Sequence, residues 1–420
     1  MLNAFLKTHK AKKGEQITHT RIPGKNYTIP LHEKDEFMRV YHRHVIMEGN
    51  VEHVTEKQME EGPLVFDIDF RYRDAVRAYT TEDIIGFVNA VFDELNIMFE
   101  EVGTIPIYVM EKTNINANGA GRKPSDAGTA PTIKDGIHLI FGVNLDKICK
   151  TILRTRLLCR MDTVWERLRP FLTNNWEEVL DRCVMLGMIN WQLYGSTKPG
   201  CEPYRFTRFM TIERTEDSTN LTHMPLPSVS LMVLHRLSVQ YKDYPTLGHV
   251  VMNPEFKIQY DEERATRRRR TSFLSTHLNV VDRTNDPAPS DCWFVTTDAE
   301  LDKVIEQMFE TLAIGEMRFL EYYKLIMLLP VEYYGPGSYD KWSKVGFALK
   351  NTSPKLFPCF VKFSSQSSAF SFTQVPELYD EWVSWNNVAG LSHLTILLWV
   401  LKENPDIYQR VMQEITKAKD

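Results

Sequence analysis

Two aspartates one residue apart, Asp67 and Asp69, interrupt the apolar run Leu64-Val-Phe-Asp-Ile-Asp-Phe70. The β-branched and aromatic content of that run favours a strand. Strand side chains alternate faces, so both carboxylates project together while Phe66, Ile68 and Phe70 project the other way. Burying even one unpaired carboxylate is costly, so two on one face call for a cation or a wet cleft. Hard divalent cations such as magnesium take carboxylate oxygens together with substrate phosphates. A partly exposed strand with its polar residues turned outward would show the same pattern.

Lys134-Asp-Gly-Ile-His138 runs into Leu-Ile-Phe-Gly. A strand starting at Lys134 puts Lys134, Gly136 and His138 on one face, opposite Ile137, Leu139 and Phe141. A lysine, a residue without a side chain and a histidine could together let a triphosphate approach the backbone, although a histidine beside an apolar strand also serves structural ends. Further on, Asp181 in Leu180-Asp-Arg-Cys-Val184 could complete a three-carboxylate metal site, and Lys198, after Gly195, Ser196 and Thr197, could reach a phosphate. An ordinary surface aspartate and lysine would look the same.

The elements that must position these groups alternate along the first half of the chain. Strand-like segments at Leu64–Phe70, Ile105–Met110, Gly136–Val143 and Phe206–Glu213 interleave with an amphipathic helix over Thr80–Glu101 and a largely helical stretch over Leu145–Arg169. Asn114 to Thr132, rich in Asn, Gly, Pro, Ala and Ser, reads as a long loop. From about 299 onward the periodicity is helical: Ala299–Leu329, Tyr339–Leu349, Pro376–Trp385 and Leu391–Lys402. Such a succession predicts an α/β or α+β sheet domain over 1–252, a basic linker over 253–292 and a small all-helical domain over 293–420.

The 420 residues, with 43% hydrophobic and 25% charged, suit a globular chain of two or three domains. The longest apolar runs are far shorter than the ~18–20 residues of a membrane span. The basic N-terminus lacks the apolar core of a secretory signal. Six dispersed cysteines form no Cys-x-x-Cys pair, so neither a disulfide framework nor a structural zinc is expected, and a reducing compartment is the natural setting. A net charge of −5 does not by itself suggest a nucleic-acid binder. Basic residues are nonetheless concentrated at Lys7–Lys13 and in Arg264–Arg270, which could be solvated surface or phosphate contacts.

In this order, Asp-x-Asp on a strand, Lys-x-Gly-x-His on a strand, then a lone Asp followed by a lysine, the chain resembles the catalytic core of the archaeo-eukaryotic primase superfamily. The similarity is greatest to the primase portion of nucleo-cytoplasmic large DNA virus primase-helicases. Thr18-His-Thr20 and the helix near Phe37–Val45 look like the start of such viral primases. Tyr194-Gly-Ser-Thr-Lys198 looks like the family's nucleotide-binding lysine motif. Tyr339-Asp-Lys-Trp-Ser-Lys-Val-Gly-Phe-Ala-Leu349 and Leu378-Tyr-Asp-Glu-Trp-Val-Ser-Trp385 resemble the small helical domain that follows the core.

The resemblance implies mixed sheets with an RRM-like catalytic half and a DNA primase activity that makes short primers on single-stranded DNA from nucleoside triphosphates. It implies that Asp67, Asp69 and Asp181 bind two Mg2+ or Mn2+ ions, and that Lys134, Gly136, His138, Ser196, Lys198 and Arg205 line the nucleotide. Two departures stand out. The family often has Ser where this chain has Gly136, and related primase-polymerases carry Arg where it has Gln192; Tyr204, Arg205 and Arg208 are the available substitutes. Arg71, Arg73, Arg77 and Arg208, with Arg267 and Arg268 of the arginine run, are the candidate template contacts, by salt-dependent phosphate pairing.

No Gly-x-x-x-x-Gly-Lys-Ser/Thr phosphate loop occurs, so no helicase motor is recognisable. The expectation is the N-terminal part of a longer primase-helicase, working with a replicative helicase in cis or in trans, possible as a homo-oligomer through a helicase ring. No membrane partner is expected, and the site of action would be the cytoplasm of a virus-infected host. Two other readings remain open at this level: a non-catalytic single-stranded-DNA loading module, and a glycosyltransferase that uses Asp-x-Asp to hold a metal and a nucleotide diphosphate.

Overall fold

The computed structural model describes residues 1–12, 15–115, 133–216, 218–277, 292, 295–310, 312, 316, 318–385, 391–405 and 408. The expected loop over 114–132 therefore lies mostly outside the described residues. The chain forms two compact units, the first made chiefly of 26–268 with two N-terminal pieces, the second chiefly of 269–420.

Among the described residues nine strands build two sheets: β1 (His19–Arg21), β2 (Lys25–Tyr27), β3 (Val54–Glu56), β4 (Glu61–Tyr72), β5 (Ile105–Glu111), β6 (Ile133–Asp146), β7 (Trp191–Gln192), β8 (Arg205–Arg214) and β9 (Thr219–Met224). The small sheet has the order β2-β1-β3-β7 and the large one β4-β6-β5-β8-β9. The large sheet is antiparallel throughout. The α+β expectation thus holds, with a helical C-terminal region beyond it.

Alternation in β4 decides what each face of the large sheet does. Phe66, Ile68 and Phe70 are buried against the Thr81–Met98 helix and Trp165, with Phe66 edge-on to Phe87 at 5.1 Å and Phe87 stacked on Trp165 at 4.9 Å. That helix begins where the sequence predicts, with Thr80 and Asp83 forming a capping box. On the other face Val65, Tyr108, Met110 and Ile140 pack with Trp191, Tyr204 and Phe206. With both faces covered, polar side chains between them sit in low-dielectric surroundings.

The small sheet buries a carboxylate beside a histidine: His19 Nε2 lies 3.7 Å from Glu56 Oε1, and Glu56 also accepts from Ser238 Oγ and Val239 N at 2.7 and 3.1 Å. Burial alone would raise the Glu56 carboxyl, but His19, Lys34 and Ser238 hold it below the ordinary range. The Thr18-His-Thr20 motif is thus structural in its immediate contacts.

A buried lysine in the sheet unit is less well served. Lys150, on the Lys147–Leu158 helix, donates to the Pro63 carbonyl at 2.9 Å. Burial, with Lys147 nearby, pushes its amine down to about 7, against the opposing fields of Asp146, Glu60 and Cys149. Between that value and the ordinary lysine range the unfolded chain binds more protons than the native one, so stability should rise with pH across this window. Below about 7 the buried amine is charged and the full penalty, roughly 4–5 kcal/mol, applies. Lys150→Met should therefore raise the melting temperature at pH 6, even after losing a hydrogen bond worth about 1–3 kcal/mol. The gain should shrink towards pH 10; an equal gain at both pH values would show that the amine never charges in the fold.

The segment expected as a linker is different. Pro254–His277 is a helix, and its Phe256 is buried edge-on to Phe99 at 5.4 Å. Phe256 and Tyr260 are one helical turn apart, which anchors the first turns to the sheet unit and leaves the arginine run on helical backbone.

The second unit contains six longer helices among its described residues: Asp298–Glu310, Arg318–Ile326, Tyr339–Thr352, Phe357–Ser364, Val375–Ser384 and His393–Glu403. The two sequence motifs noted at this end meet here. Tyr339 Oη donates to Glu381 Oε1 at 2.6 Å, and a Cβ at Gly346 would sit 2.2 Å from the Trp385 ring. Gly346 is what lets that indole close on the helix.

Candidate metal and nucleotide site

Asp67 and Asp69 emerge side by side from β4 on the face opposite Phe66, Ile68 and Phe70. Asp181 joins them: one carboxylate oxygen from each of the three lies within 4.8 Å of the others. Asp67 and Asp69 are half-buried and Asp181 is buried. Three carboxylates at this separation repel one another strongly in a partly dry site. An all-oxygen donor set of this kind suits magnesium or manganese and is poor for zinc or copper.

β4 is an edge strand of its sheet, and covering that edge delivers the third carboxylate. Thr173 N donates to Arg71 O at 2.8 Å, Asn174 Nδ2 donates to Asp69 O at 2.8 Å, and Asp181 N donates to Asp67 O at 3.1 Å. Leu180 bridges Ile68 in antiparallel fashion. Asp181 then caps the short Arg182–Met185 turn, accepting from Cys183 N and Val184 N at 2.8 and 3.3 Å. Arg154 locks the approach. Buried at 5% exposure, it donates to Leu180 O through Nε and Nη2 at 3.1 and 2.8 Å and to Glu177 O at 2.8 Å.

Arg154 is a positioning residue that the sequence alone hides, since an arginine on an amphipathic helix reads as surface charge. Arg154→Met should loosen the 177–181 turn and weaken metal binding about 10- to 100-fold, as loss of an outer-shell partner does. A metal titration monitored by melting temperature checks this; unchanged metal affinity in a folded variant would show that β4 alone orients Asp181.

Across the strand pair, Asp67 is in register with His138, Asp69 with Gly136 and Arg71 with Lys134. Cross-strand partners share a face, so the Lys-x-Gly-x-His pattern lies beside the carboxylates as the spacing predicts. His138 Nε2 is 3.4 Å from Asp67 Oδ1. Its ring is stacked on Tyr204 at 3.5 Å and tilted against Trp191 at 4.3 Å. A Cβ at position 136 would meet the Tyr204 hydroxyl at 2.4 Å, so the phenol occupies the space a serine side chain would need. Burial, then the charges of Asp67 and Asp69, push the Tyr204 phenol well above its ordinary pKa and keep it a protonated donor. Lys134 is exposed.

Other expected residues lie differently. Ser196 is buried, its hydroxyl shared with Tyr41 Oη at 2.7 Å and with Val54 N at 2.9 Å; it holds the loop that presents Lys198, which is exposed. Gln192 donates to Ser196 O in that same loop. Arg205 is exposed and in register with Glu111, whose neighbours Val109 and Ile137 belong to the opposite, helix-packed face. Arg208 is paired with Glu111 and donates to Thr81 Oγ1 at 3.1 Å, so it cannot substitute for a missing phosphate contact without breaking that pair. Arg71 pairs with Glu178 at 3.0 Å, and Arg77 clamps Asp135 through Nε and Nη2 at 2.7 and 2.9 Å. Arg73 is exposed; the side chains of Arg267 and Arg268 lie outside the described residues. The described cysteines are free thiols.

The region 18–210 matches the family model described as "C962R protein N-terminal AEP domain", a model of archaeo-eukaryotic primase (AEP) domains. It spans β1 to β7 and most of β8 and carries all three carboxylates. The chain is also similar, at 23% identity over 97% of its length, to the "Putative helicase L207/L206" of Acanthamoeba polyphaga mimivirus. It spans about 40% of that relative's length. No helix among the described residues is long and apolar enough to cross a membrane.

Proposed function

We propose that the chain is a DNA primase that joins nucleoside triphosphates into short primers on a single-stranded DNA template. The observation that carries this reading is the meeting of Asp67, Asp69 and Asp181 on the sheet face that also bears Lys134 and His138. Asp67, Asp69 and Asp181 would hold magnesium or manganese. Two such ions, when bound, supply neutralisation of the charge that develops on attacking and leaving oxygens during in-line phosphoryl transfer.

The chain's own groups do the rest. His138 and Lys134 donate to the triphosphate from the strand beside the carboxylates, the imidazole held in place by Asp67, Tyr204 and Trp191. Lys198 offers a further ammonium from a loop braced by Ser196 and Gln192. Tyr204 and Trp191, packed at the floor of the face, exclude water from one side of the imidazole. Arg73, exposed just beyond the end of β4, serves the template phosphates. The mimivirus relative's name, a putative helicase, supports work alongside a helicase; viral DNA replication in the host cytoplasm is part of the same proposal.

Incubating the chain with single-stranded DNA, labelled nucleoside triphosphates and manganese or magnesium tests this. Short labelled oligomers should come from the parent chain and none from Asp67→Ala/Asp69→Ala. Binding of DNA without synthesis by the parent would instead assign a loading module.

A further inference from the structure

We propose that Lys112 is an additional phosphate-binding residue of the nucleotide site and that Tyr204 is the platform that positions it; this rests on the nucleotidyltransferase reading above. Lys112 follows Glu111, the last paired residue of β5, which is in register with Ile137. Strand alternation returns Lys112 to the face that carries Tyr108 and Met110, level with Gly136. Its ammonium lies over the Tyr204 ring, 4.8 Å from the centroid. That ring is stacked on His138 at 3.5 Å, and His138 lies 3.4 Å from Asp67. A continuous column therefore leads from a half-buried cation to the carboxylates.

The Lys112 backbone is held on both sides. Arg77 Nη2 donates to Lys112 O at 2.8 Å while the same guanidinium clamps Asp135. Two residues on, Asn114 donates to Glu202 through N and Nδ2 at 3.1 and 2.6 Å. The carboxylates that feel the charge of Lys112, Glu202 and Asp135, are thus each hydrogen-bonded by another residue. A cation fixed before its ligand arrives loses little freedom on binding. On this face Arg71 is engaged by Glu178, so Lys112 adds to Lys134 an ammonium that a triphosphate can use.

Equilibrium binding of ATP and dATP with manganese to the full chain tests this, with single-stranded DNA affinity measured in parallel. Lys112→Ala and Lys112→Gln should each raise the nucleotide Kd about tenfold or more, the loss expected for one charge-assisted contact. Lys112→Arg should retain most of the affinity. Tyr204→Phe should keep the platform and the Kd, whereas Tyr204→Leu should raise it, and adding Lys112→Ala to Tyr204→Leu should cost little more. If the parent binds nucleotide and the Lys112 variants bind it equally well, or lose DNA affinity instead, Lys112 is not a phosphate ligand. If the parent binds no nucleotide with manganese, the primase reading falls and this inference with it.

Discussion

Asp181→Asn is expected to remove primer synthesis by at least about a hundredfold while leaving the metal-free protein as stable as the parent or more so. The carboxylate does two jobs that this substitution separates. As a helix cap, Asp181 accepts from Cys183 N and Val184 N, and asparagine caps equally well. As a charge, it stands within 4.8 Å of Asp67 and Asp69, a repulsive arrangement that a bound cation relieves. Losing one electrostatic partner of a reaction's charge typically costs 10²–10³ in rate, and Asp181 is one of the three carboxylates grouped here. Manganese at 100 times its Kd should stabilise the parent by about 2.7 kcal/mol. Thermal melts with and without manganese check both halves: the parent should shift and Asp181→Asn should shift much less. An undiminished metal shift in the variant would remove Asp181 from the metal site.

Gly136→Ala is the second large effect, from a single methyl group. Its Cβ would stand 2.4 Å from the Tyr204 hydroxyl, 3.3 Å from the ring carbon that bears it, and 3.5 Å from Ile68 O. Tyr204 cannot swing aside freely, being buried and stacked on His138. Overpacking of this kind costs about 1–3 kcal/mol. The displacement falls on the imidazole, so nucleotide affinity should drop together with melting temperature. Tyr204→Phe removes the closest contact and leaves the 3.3 Å one, which small shifts absorb. Gly136→Ala/Tyr204→Phe should therefore recover nucleotide affinity that Gly136→Ala alone lacks. Melting curves and nucleotide Kd values for the three variants decide it; no recovery would mean that the phenol is not what requires glycine here.

The parts of this site legible in the sequence are those governed by local periodicity. Alternation in Leu64–Phe70 correctly paired the two aspartates, and the same rule put Lys134, Gly136 and His138 on one face. The Thr80 cap and the helices around Trp342 and Trp382 were equally local signals. Contacts across long sequence separations were not legible. Ser196 looks like a small residue of a phosphate loop, yet the Tyr41 hydroxyl, from a distant helix, claims it. Arg208 looks like a free cation, yet Glu111 on the neighbouring strand pairs with it. The arginine run masked a helix because its apolar anchors, Phe256 and Tyr260, precede it by only a few turns.

From residue types and spacing alone come the α+β character and the choice of carboxylates that could hold a metal, because side-chain period and charge are properties of short segments. Only the tertiary structure brings the 172–181 segment along the open edge of β4, with Arg154 holding its turn, and only there does Asp181 meet Asp67 and Asp69. Tyr204, just before β8, likewise reaches His138 and Gly136 on β6, two places away in the sheet order, and Lys112 just past the end of the adjacent β5. Hydrogen bonding along an edge strand and the filling of space left by a glycine depend on which segments the fold makes neighbours, and no local pattern encodes that.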